Sequence, residues 1–593
     1  MFIGPVLIRE LATAPRRSKH YVARSVYVFG LLMLMMTAWL VLTGTQLLRD
    51  IGDVARFSTG LFQILAPLQM ALAVFFSALF TASSVSQEKE RRTLILLLMT
   101  DLSNCEIVLG KLLASLLNVF VLLFAALPLF VGLTLMGGVE LWRILQVFAV
   151  TFFAALAAGS LGSTLALWRE KSFQALALTV LALVFWIGIW EIVAFASAQN
   201  PLAGGDWQIR AAACSPWRVV LEASTPQVVS AGSLRHVWQP ETAFLLVAAL
   251  VTVLLNSVAI WRVRLWNPSR ELRSERGSRT DEEIARSAGV GEVAKRDDAT
   301  AATPAVAQPT RRVWDYPILW REVRTRAYGR RTLIIRAAYW GLAAVIFMGA
   351  ASMNVRDVLG LTIVSMAFFL LSLVLINTQA VTSLSTERDA KTLDLLLVTD
   401  VSPKEFVFGK LGGVFYNTKE MVVLPVAFGV YLWSRGAVSM ENTTYLVAGL
   451  LVMNVFVGVL GIHCGLVHKN SRVAVATSLG TVFFLFVGIW TCMRIMMAFS
   501  GSFGYQLAPF LAFMLGGGIG LYILLGARNA SSAILWAAFT CPFLTFWAIT
   551  SFFQAQTLGP FLVASATYVF TTLAMLVPAI SEFDLTSGRT TEH

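Results

Sequence analysis

A segment of 25 residues occurs twice in this chain, at residues 88–112 and 387–411. The two copies align without a gap at a constant offset of 299 residues, and 14 of the 25 positions are identical. Each copy follows one long apolar run and leads into another. Solenoid repeats are much shorter, at roughly 20–50 residues. The spacing therefore predicts a duplicated membrane half. We call the two copies the box segments.

Long runs without charge predict that the chain crosses a membrane many times as α-helices. Of its 593 residues, 57% are hydrophobic and 13% are charged, whereas soluble domains carry about 25% charged residues. Many uncharged windows reach about 20 residues, which is enough to cross a hydrocarbon core of about 30 Å. A transmembrane barrel would instead show alternating segments of about 10 residues. The predicted fold class is an all-α polytopic membrane protein.

The apolar runs predict about 14 transmembrane helices, six in the first half and eight in the second. They form two six-helix repeats plus a C-terminal hairpin, and the repeats run parallel because matching residues keep their order. A count of twelve stays open if the last hairpin is re-entrant or lies flat. The predicted spans lie near 22–45, 60–85, 112–137, 141–167, 173–197, 241–263, 332–354, 357–383, 411–434, 443–467, 473–498, 504–526, 529–554 and 558–580.

The predicted domain boundaries follow these runs. Residues 264–312 hold ten Lys or Arg and eight Asp or Glu, so they bury little apolar surface and predict a disordered cytoplasmic linker. The other predicted units are the first repeat at 1–263, the second repeat at 313–526, the additional hairpin at 527–580 and a cytoplasmic tail at 581–593.

The formal charge of +12 reflects Lys and Arg that collect in alternate loops. This distribution is typical of the positive-inside rule and places the amino terminus and the box segments in the cytoplasm. We expect both termini to be cytoplasmic and the chain to lie in the plasma membrane, the inner membrane of a bacterium. Membrane lipid is therefore an expected partner and nucleic acid is not.

Each box segment predicts a short amphipathic helix, a turn, and a second helix that continues into the third span. The leucines of each copy recur at i, i+3 and i+4, which forms one apolar face of a helix. Asp101 and Asp400 interrupt this pattern. A Ser three residues before Glu106, and another before Glu405, give the spacing of a capping box. An ordinary solvent-facing loop is the alternative, but persistence in two diverged halves favours a shared docking role.

A short segment before the first span of each half predicts a helix that lies in the cytoplasmic interface. Residues 5–14 and 317–328 each begin with Pro and place apolar residues on one face, with arginines elsewhere. The pair Arg9-Glu10 recurs as Arg321-Glu322. Simple anchoring by positive charge is the alternative interpretation.

The box segments resemble the cytoplasmic loop of type-2 ABC exporter permeases. The shared order is Glu, a basic residue, Thr-Leu, a leucine run, Thr, Ser, Glu and Gly-Lys, and the resemblance covers roughly 4–263 and 316–526. Both copies have Asp where the family often has Pro, and the two halves are fused. The resemblance implies that the loop holds the coupling helix that contacts the ATPase subunit, and that the N-terminal segments are elbow helices. It assigns to the coupling surface Glu88, Thr93, Leu94, Asp101, Glu106, Glu387, Thr392, Leu393, Asp400 and Glu405.

The function implied by this resemblance is the permease subunit of an ATP-binding cassette exporter that works by alternating access. The sequence contains no G-x-x-x-x-G-K-[ST] motif, so ATP and Mg are expected in a partner ATPase, present as two copies or a dimer. We expect no catalytic residue, cofactor or metal site in this chain, which is then not itself an enzyme. Further permease or accessory subunits stay open as partners.

Two other functions remain as alternatives. An ion-coupled secondary transporter or channel without an ATPase would use charges near its spans, for which Glu191, Lys419 and Glu420 are the candidates. A membrane-embedded transferase acting on a lipid-linked substrate would use polar groups of the outer loop 198–240. The substrate is not specified by the sequence.

Overall fold

The computed structural model is helical throughout the residues that it describes, which contain no β-strand. The predicted linker and the predicted tail lie almost entirely outside them, as do the positions 394–395 and 397–400 of the second box segment. The described residues are 5–13, 18–45, 51–199, 204–225, 240–267, 314–324, 332–355, 357–393, 396, 401–498, 503–527, 531–553, 557–581 and 583.

The first half begins with a short helix and contains six long ones, with a pair of short helices between the fifth and sixth. Its helices are α1 (Pro5–Thr13), α2 (Ser18–Thr45), α3 (Ile51–Glu90), α4 (Thr93–Leu98), α5 (Asn104–Leu135), α6 (Leu141–Trp168), α7 (Ser172–Gln199), α8 (Gly204–Cys214), α9 (Pro216–Ser224) and α10 (Pro240–Trp266).

The second half repeats the order of the long helices, with a broken third span and two extra long helices. Its helices are α11 (Pro317–Arg324), α12 (Thr332–Ser352), α13 (Val358–Asp389), α14 (Pro403–Asn417), α15 (Lys419–Ser434), α16 (Met440–Val467), α17 (Ser471–Phe483), a π-helical segment (Phe484–Gly488), α18 (Ile489–Ala498), α19 (Phe503–Leu525), α20 (Ser532–Phe553) and α21 (Leu558–Ser581).

Eleven helical segments of the described chain are long and apolar enough to cross a membrane. They are α3, α5, α6, α7, α10, α12, α13, α16, the continuous unit from α17 to α18, α20 and α21. Shorter apolar helices occur within α2, at Arg24–Met36, and within α19, at Phe510–Leu525. The chain is thus a polytopic membrane protein, as predicted, and fourteen stays the predicted number of spans.

The third span of the second half is broken where two residues are missing relative to the first half. Asn118 and Asn417 are 299 positions apart, whereas Pro128 and Pro425 are 297 apart. Removing two residues from a helix rotates the remainder of that helix by about 200°. The backbone of Thr418 leaves the helical region, with φ −110° and ψ 19°, and separates α14 from α15. In the first half, α5 continues without interruption.

The second and fourth spans of each half pack closely through a glycine at the same repeat position. A Cβ at Gly162 of α6 would lie 2.5 Å from the carbonyl oxygen of Ala78 in α3. A Cβ at Gly461 of α16 would lie 2.9 Å from the carbonyl oxygen of Asn377 in α13. Small residues of this kind let membrane helices approach backbone to backbone. Each half is therefore built around the same tightly packed helix pair.

The sixth position of the second half is occupied by α21 rather than by α19. In the first half α10 contacts α6 and α5, and in the second half α21 contacts their counterparts α16 and α14. The ring of Phe583, just beyond α21, lies 5.6 Å from the ring of Phe406 in α14. The sequence prediction assigned the additional hairpin to 527–580, whereas the packing makes α19 and α20 the extra pair. Runs of equal length and hydropathy do not reveal which of them packs against α16.

The two halves meet along their second and fifth spans. α3 of the first half contacts α13 and α17 of the second, and α7 contacts α13 and α12. On the other side α19 packs against α2, and this contact has no equivalent elsewhere in the repeat. Aromatic rings cross the contact, with Phe483 of α17 5.8 Å from Phe75 and 6.3 Å from Phe76 in α3. We call this surface the seam between the halves, and we call the end of the bundle that carries the box segments the box end.

Candidate functional site

Both box segments reverse the chain through a non-glycine residue in the left-handed region. Arg92 has φ 61° and Lys391 has φ 56°, and the two positions are equivalent at the repeat offset. This conformation costs roughly 1–2 kcal/mol for residues other than glycine. The next residue helps to fix the turn, because the Thr93 and Thr392 hydroxyls donate to the carbonyl oxygens of Glu88 at 3.3 Å and Glu387 at 3.1 Å. The two halves thus keep the same strained reversal.

A capping box starts the third-span helix in each half, as the spacing predicts. The Glu106 amide donates to Ser103 Oγ at 3.3 Å, and the Ser103 amide donates to Glu106 Oε2 at 3.0 Å. Ser402 and Glu405 make the same pair of bonds at 3.3 and 3.1 Å. These bonds satisfy amides at the start of α5 and α14 that have no partner within the helix. Glu106 and Glu405 therefore support the helix start.

The short helix α4 turns one apolar face inward and leaves another exposed. Leu94 and Leu98 are buried, and the equivalent Leu393 of the second half is buried too. Leu96 and Met99, by contrast, are 64% and 56% exposed. Thr93, Thr100 and Asp101 beside them are also exposed. Asp400 lies outside the described residues. Two large apolar side chains at a polar tip mark a surface suited to a protein partner.

The acidic residue that opens each box segment points into the protein. Glu88 forms an ion pair with Lys111 of α5, and both side chains are at least 85% buried. Glu387 forms an ion pair with Lys410 of α14 at 2.7 Å and another with Arg321 of α11. These carboxylates tie the end of the second span to the base of the third. Sequence analysis assigned Glu88 and Glu387 to the coupling surface, which stays a prediction, whereas their side chains turn inward to these cations.

In the second half, the ammonium group of Lys410 forms a further ion pair that is fully buried. Lys410 Nζ lies 2.6 Å from Glu322 Oε1, and the side chains are 1% and 3% exposed. Arg321 also approaches Glu322, at 3.5 Å. Removing one member of such a pair leaves an uncompensated buried charge, which is strongly destabilising. The N-terminal helix α11, the end of α13 and the base of α14 are therefore held as one unit.

The two N-terminal helices pack at the same place in each half, α1 on α5 and α11 on α14. In α1, Leu7 is buried while Ile8 and Leu11 are 56% and 46% exposed. Arg9 is exposed, and the side chain of Glu10 lies outside the described residues. An apolar face that points away from the bundle suits a helix lying at the membrane interface.

A basic residue next to each acidic one fastens the box segment to the fourth span. Lys89 donates to the carbonyl oxygens of Leu167 and, at 2.8 Å, Arg169 at the end of α6. Arg388 donates to Leu466, at 2.9 Å, and to His468 at the end of α16. All of these positions obey the offset of 299. Sequence analysis missed this clamp, because its acceptors are backbone carbonyl oxygens; the recurrence of a basic residue at positions 89 and 388 was the one signal.

The three charges proposed for an ion pathway are each engaged within their own half. Glu191 pairs with Arg218 of α9 at 2.8 Å, and Glu420 pairs with Arg336 of α12 at 3.5 Å. Lys419 lies 5.2 Å above the ring of Tyr416, which precedes it in the chain. These contacts give each charge a local partner.

Two buried amides lie on α3 and α13, the helices that meet at the seam between the halves. Gln69 and Gln379 are 3% and 0% exposed, and neither side chain has a hydrogen-bond partner among the described residues. Gln379 lies two turns from Thr386, whose hydroxyl donates to Glu90 of the other half. Gln69 lies two turns from Phe76, which packs on Phe483 of the other half. A buried polar group without a partner costs about 1–3 kcal/mol, which makes these amides candidates for contact with a ligand.

The comparison with protein families agrees with this architecture. The family model described as ABC-2 family transporter protein matches residues 50–257. This range runs from α3 to α10 and includes the first box segment. The match confirms the resemblance drawn from the box segments, and the second half is connected to it by the internal repeat. No curated protein matches the chain.

Proposed function

We propose that the chain is the multi-pass permease component of an ABC-2 type transporter, and that it exports its substrate using the ATPase activity of a partner chain. The observation that carries the proposal is the box segment, present twice with the same reversal, cap and clamp. Each half thereby offers one docking point, which suits two copies or a dimer of an ATPase. The proposal places the box end and both termini in the cytoplasm.

The exposed tip of α4 is the part of the site that we assign to the ATPase. Leu96 and Met99 project from a segment that is otherwise polar on its outer side. Apolar anchors inside a polar rim are typical of residues that carry most of the energy of a protein interface. Asp101 and Thr93 would then belong to the rim.

The buried charges behind this tip suit the transmission of force. A push on the box segment would act on the end of α3 or α13 through the Lys89 and Arg388 clamps, and on the third span through Lys111 and Lys410. Because these contacts hold each half together, the motion available is that of one half against the other. Rocking of two rigid halves is a common basis of alternating access.

The seam is the pathway in this proposal. The buried amides Gln69 and Gln379 would provide hydrogen-bonding groups for a substrate. The rings of Phe75, Phe76 and Phe483 pack across the seam. ATP and Mg would be bound by the partner, since the sequence carries no phosphate-binding loop motif.

Affinity capture of the tagged chain from gently solubilised membranes tests the proposal. The parent should capture a P-loop ATPase, and a Leu96→Ala, Met99→Ala double variant should capture it at least about tenfold less efficiently. The matched control is Leu135→Ala with Leu141→Ala, because these side chains are 90% and 49% exposed at the other end of the bundle. Absence of any ATPase with the folded parent would overturn the proposal and favour a secondary transporter or channel.

A further inference from the structure

Two contacts at the box end join the first half directly to the second. The Thr386 hydroxyl of α13 donates to Glu90 Oε1 of α3 at 3.1 Å. Arg91, which follows α3, lies with Nε 3.0 Å and Nη2 2.9 Å from Asp389 Oδ1 at the end of α13. Both contacts therefore lie where the second spans of the two halves end.

The two carboxylates of this cluster occupy equivalent positions of the repeat. Glu90 Oε1 accepts hydrogen bonds from the Ser172 amide at 3.1 Å and hydroxyl at 2.6 Å, at the start of α7. Asp389 accepts a hydrogen bond from the hydroxyl of Ser471, at the start of α17. Each acid is thus fixed to the fifth span of its own half. The two acids are also near enough for their charges to interact.

Arg91 of the first half supplies a cation to this pair of carboxylates. The position equivalent to Arg91 is Ala390 in the second half. The Asp389 side chain is 1% exposed, whereas the Arg91 side chain is 44% exposed. A buried carboxylate that loses its cation is costly unless water reaches it. Because Asp389 is enclosed in this arrangement, its ion pair with Arg91 stabilises the contact between the halves.

We propose that the Arg91–Asp389 ion pair, with the Glu90–Thr386 hydrogen bond, is a latch that holds the box ends of the two halves together and opens during each transport cycle. This inference rests on the proposed function, because it takes the seam as the pathway. The contacts within each half, from Lys89 and from Ser172, stay intact when the halves part. Only the contacts that cross the seam have to break, as in a rigid-body transition.

Thiol labelling above the latch tests this inference. A Gln379→Cys variant places a thiol on the seam, two turns from Thr386, in a chain whose part-buried Cys105 and Cys214 are replaced by Ala. Adding Arg91→Gln should speed its reaction with a water-soluble maleimide about tenfold in open membrane fragments. Arg92→Gln is the matched control, since it removes the neighbouring exposed charge.

A charge exchange separates the latch from a general loss of structure. Arg91→Asp combined with Asp389→Arg should return labelling to within about twofold of the rate without latch variants, because the attraction is restored. Three results would each overturn the latch. The labelling rate could be the same with and without Arg91→Gln, or Arg92→Gln could raise it as much as Arg91→Gln does. The charge-exchanged variant could also label as fast as Arg91→Gln. Variants are compared only as monodisperse protein, and if Arg91→Gln is not monodisperse, Arg91→Ala takes its place with the same criteria, since Ala390 stands at the equivalent position of the second half. The assay needs no ATPase, so its failure is distinct from failure of the docking proposal.

Discussion

Replacing Lys410 by Met should destabilise the protein far more than the same replacement of Lys111. Lys410 lies 2.6 Å from Glu322 and 2.7 Å from Glu387, and its side chain is 1% exposed. Removing the shared cation of a buried cluster costs about 3–5 kcal/mol, because the carboxylates keep the cost of dehydration without the attraction. Lys111 is 12% exposed and has Glu88 as its ion-pair partner among the described residues, so we expect about 1–2 kcal/mol there.

The assay is the fraction of monodisperse protein that survives a heating ramp in detergent. Lys410→Met should lower the apparent midpoint about two to three times as much as Lys111→Met, since the centres of the two expected ranges are about 4 and about 1.5 kcal/mol. Adding Glu322→Gln to Lys410→Met should recover part of the loss, because one unpaired charge is removed. Equal shifts for the two lysine variants, or a double variant that loses the sum of both single effects, would refute the assignment of Lys410 as the enclosed centre of the cluster.

Substitutions at three other positions, together with one matched control, have distinct expected effects on stability. Gly461→Val should cost about 1–3 kcal/mol by overpacking α16 against α13, whereas Gly449→Val, whose Cβ would lie 3.9 Å from its nearest neighbour, should be near neutral in the same heating assay. Ser402→Ala should cost about 1 kcal/mol through loss of the cap at α14, measured as a lower denaturation midpoint. Burial, and then the charge of Glu241, raises the pKa of Glu222, so its contribution to stability should fall as pH rises through the folded pKa, and Glu222→Gln should match the parent at low pH and exceed it at neutral pH in heating ramps.

The local structure of the box segments followed from the sequence because short-range rules determine it. The Ser and Glu three positions apart form the predicted capping boxes, and the leucine spacing gives α4 a buried face through Leu94 and Leu98. The internal repeat predicted parallel halves, and contacts such as the Lys89 and Arg388 clamps recur at the same offset.

The direction of the acidic side chains depended on packing between helices and was not predictable locally. Whether Glu88 faces a partner or Lys111 depends on how closely α3 approaches α5, which no spacing along the chain encodes. The same holds for the cross-seam pairing of Arg91 with Asp389, 298 residues apart. Hydropathy also could not predict where α19 packs, because membrane helices of similar length and composition differ only in the helices that they pack against.

Photo-crosslinking from the tip of α4 tests the central claim most directly. A photoreactive amino acid at Leu96, activated in intact membranes, should crosslink the chain to a P-loop ATPase, while the same probe at Leu135, at the other end of the bundle, should not. Crosslinks from both positions to lipid or unrelated chains, with no ATPase captured from Leu96, would contradict the account that a partner ATPase docks on the box segments.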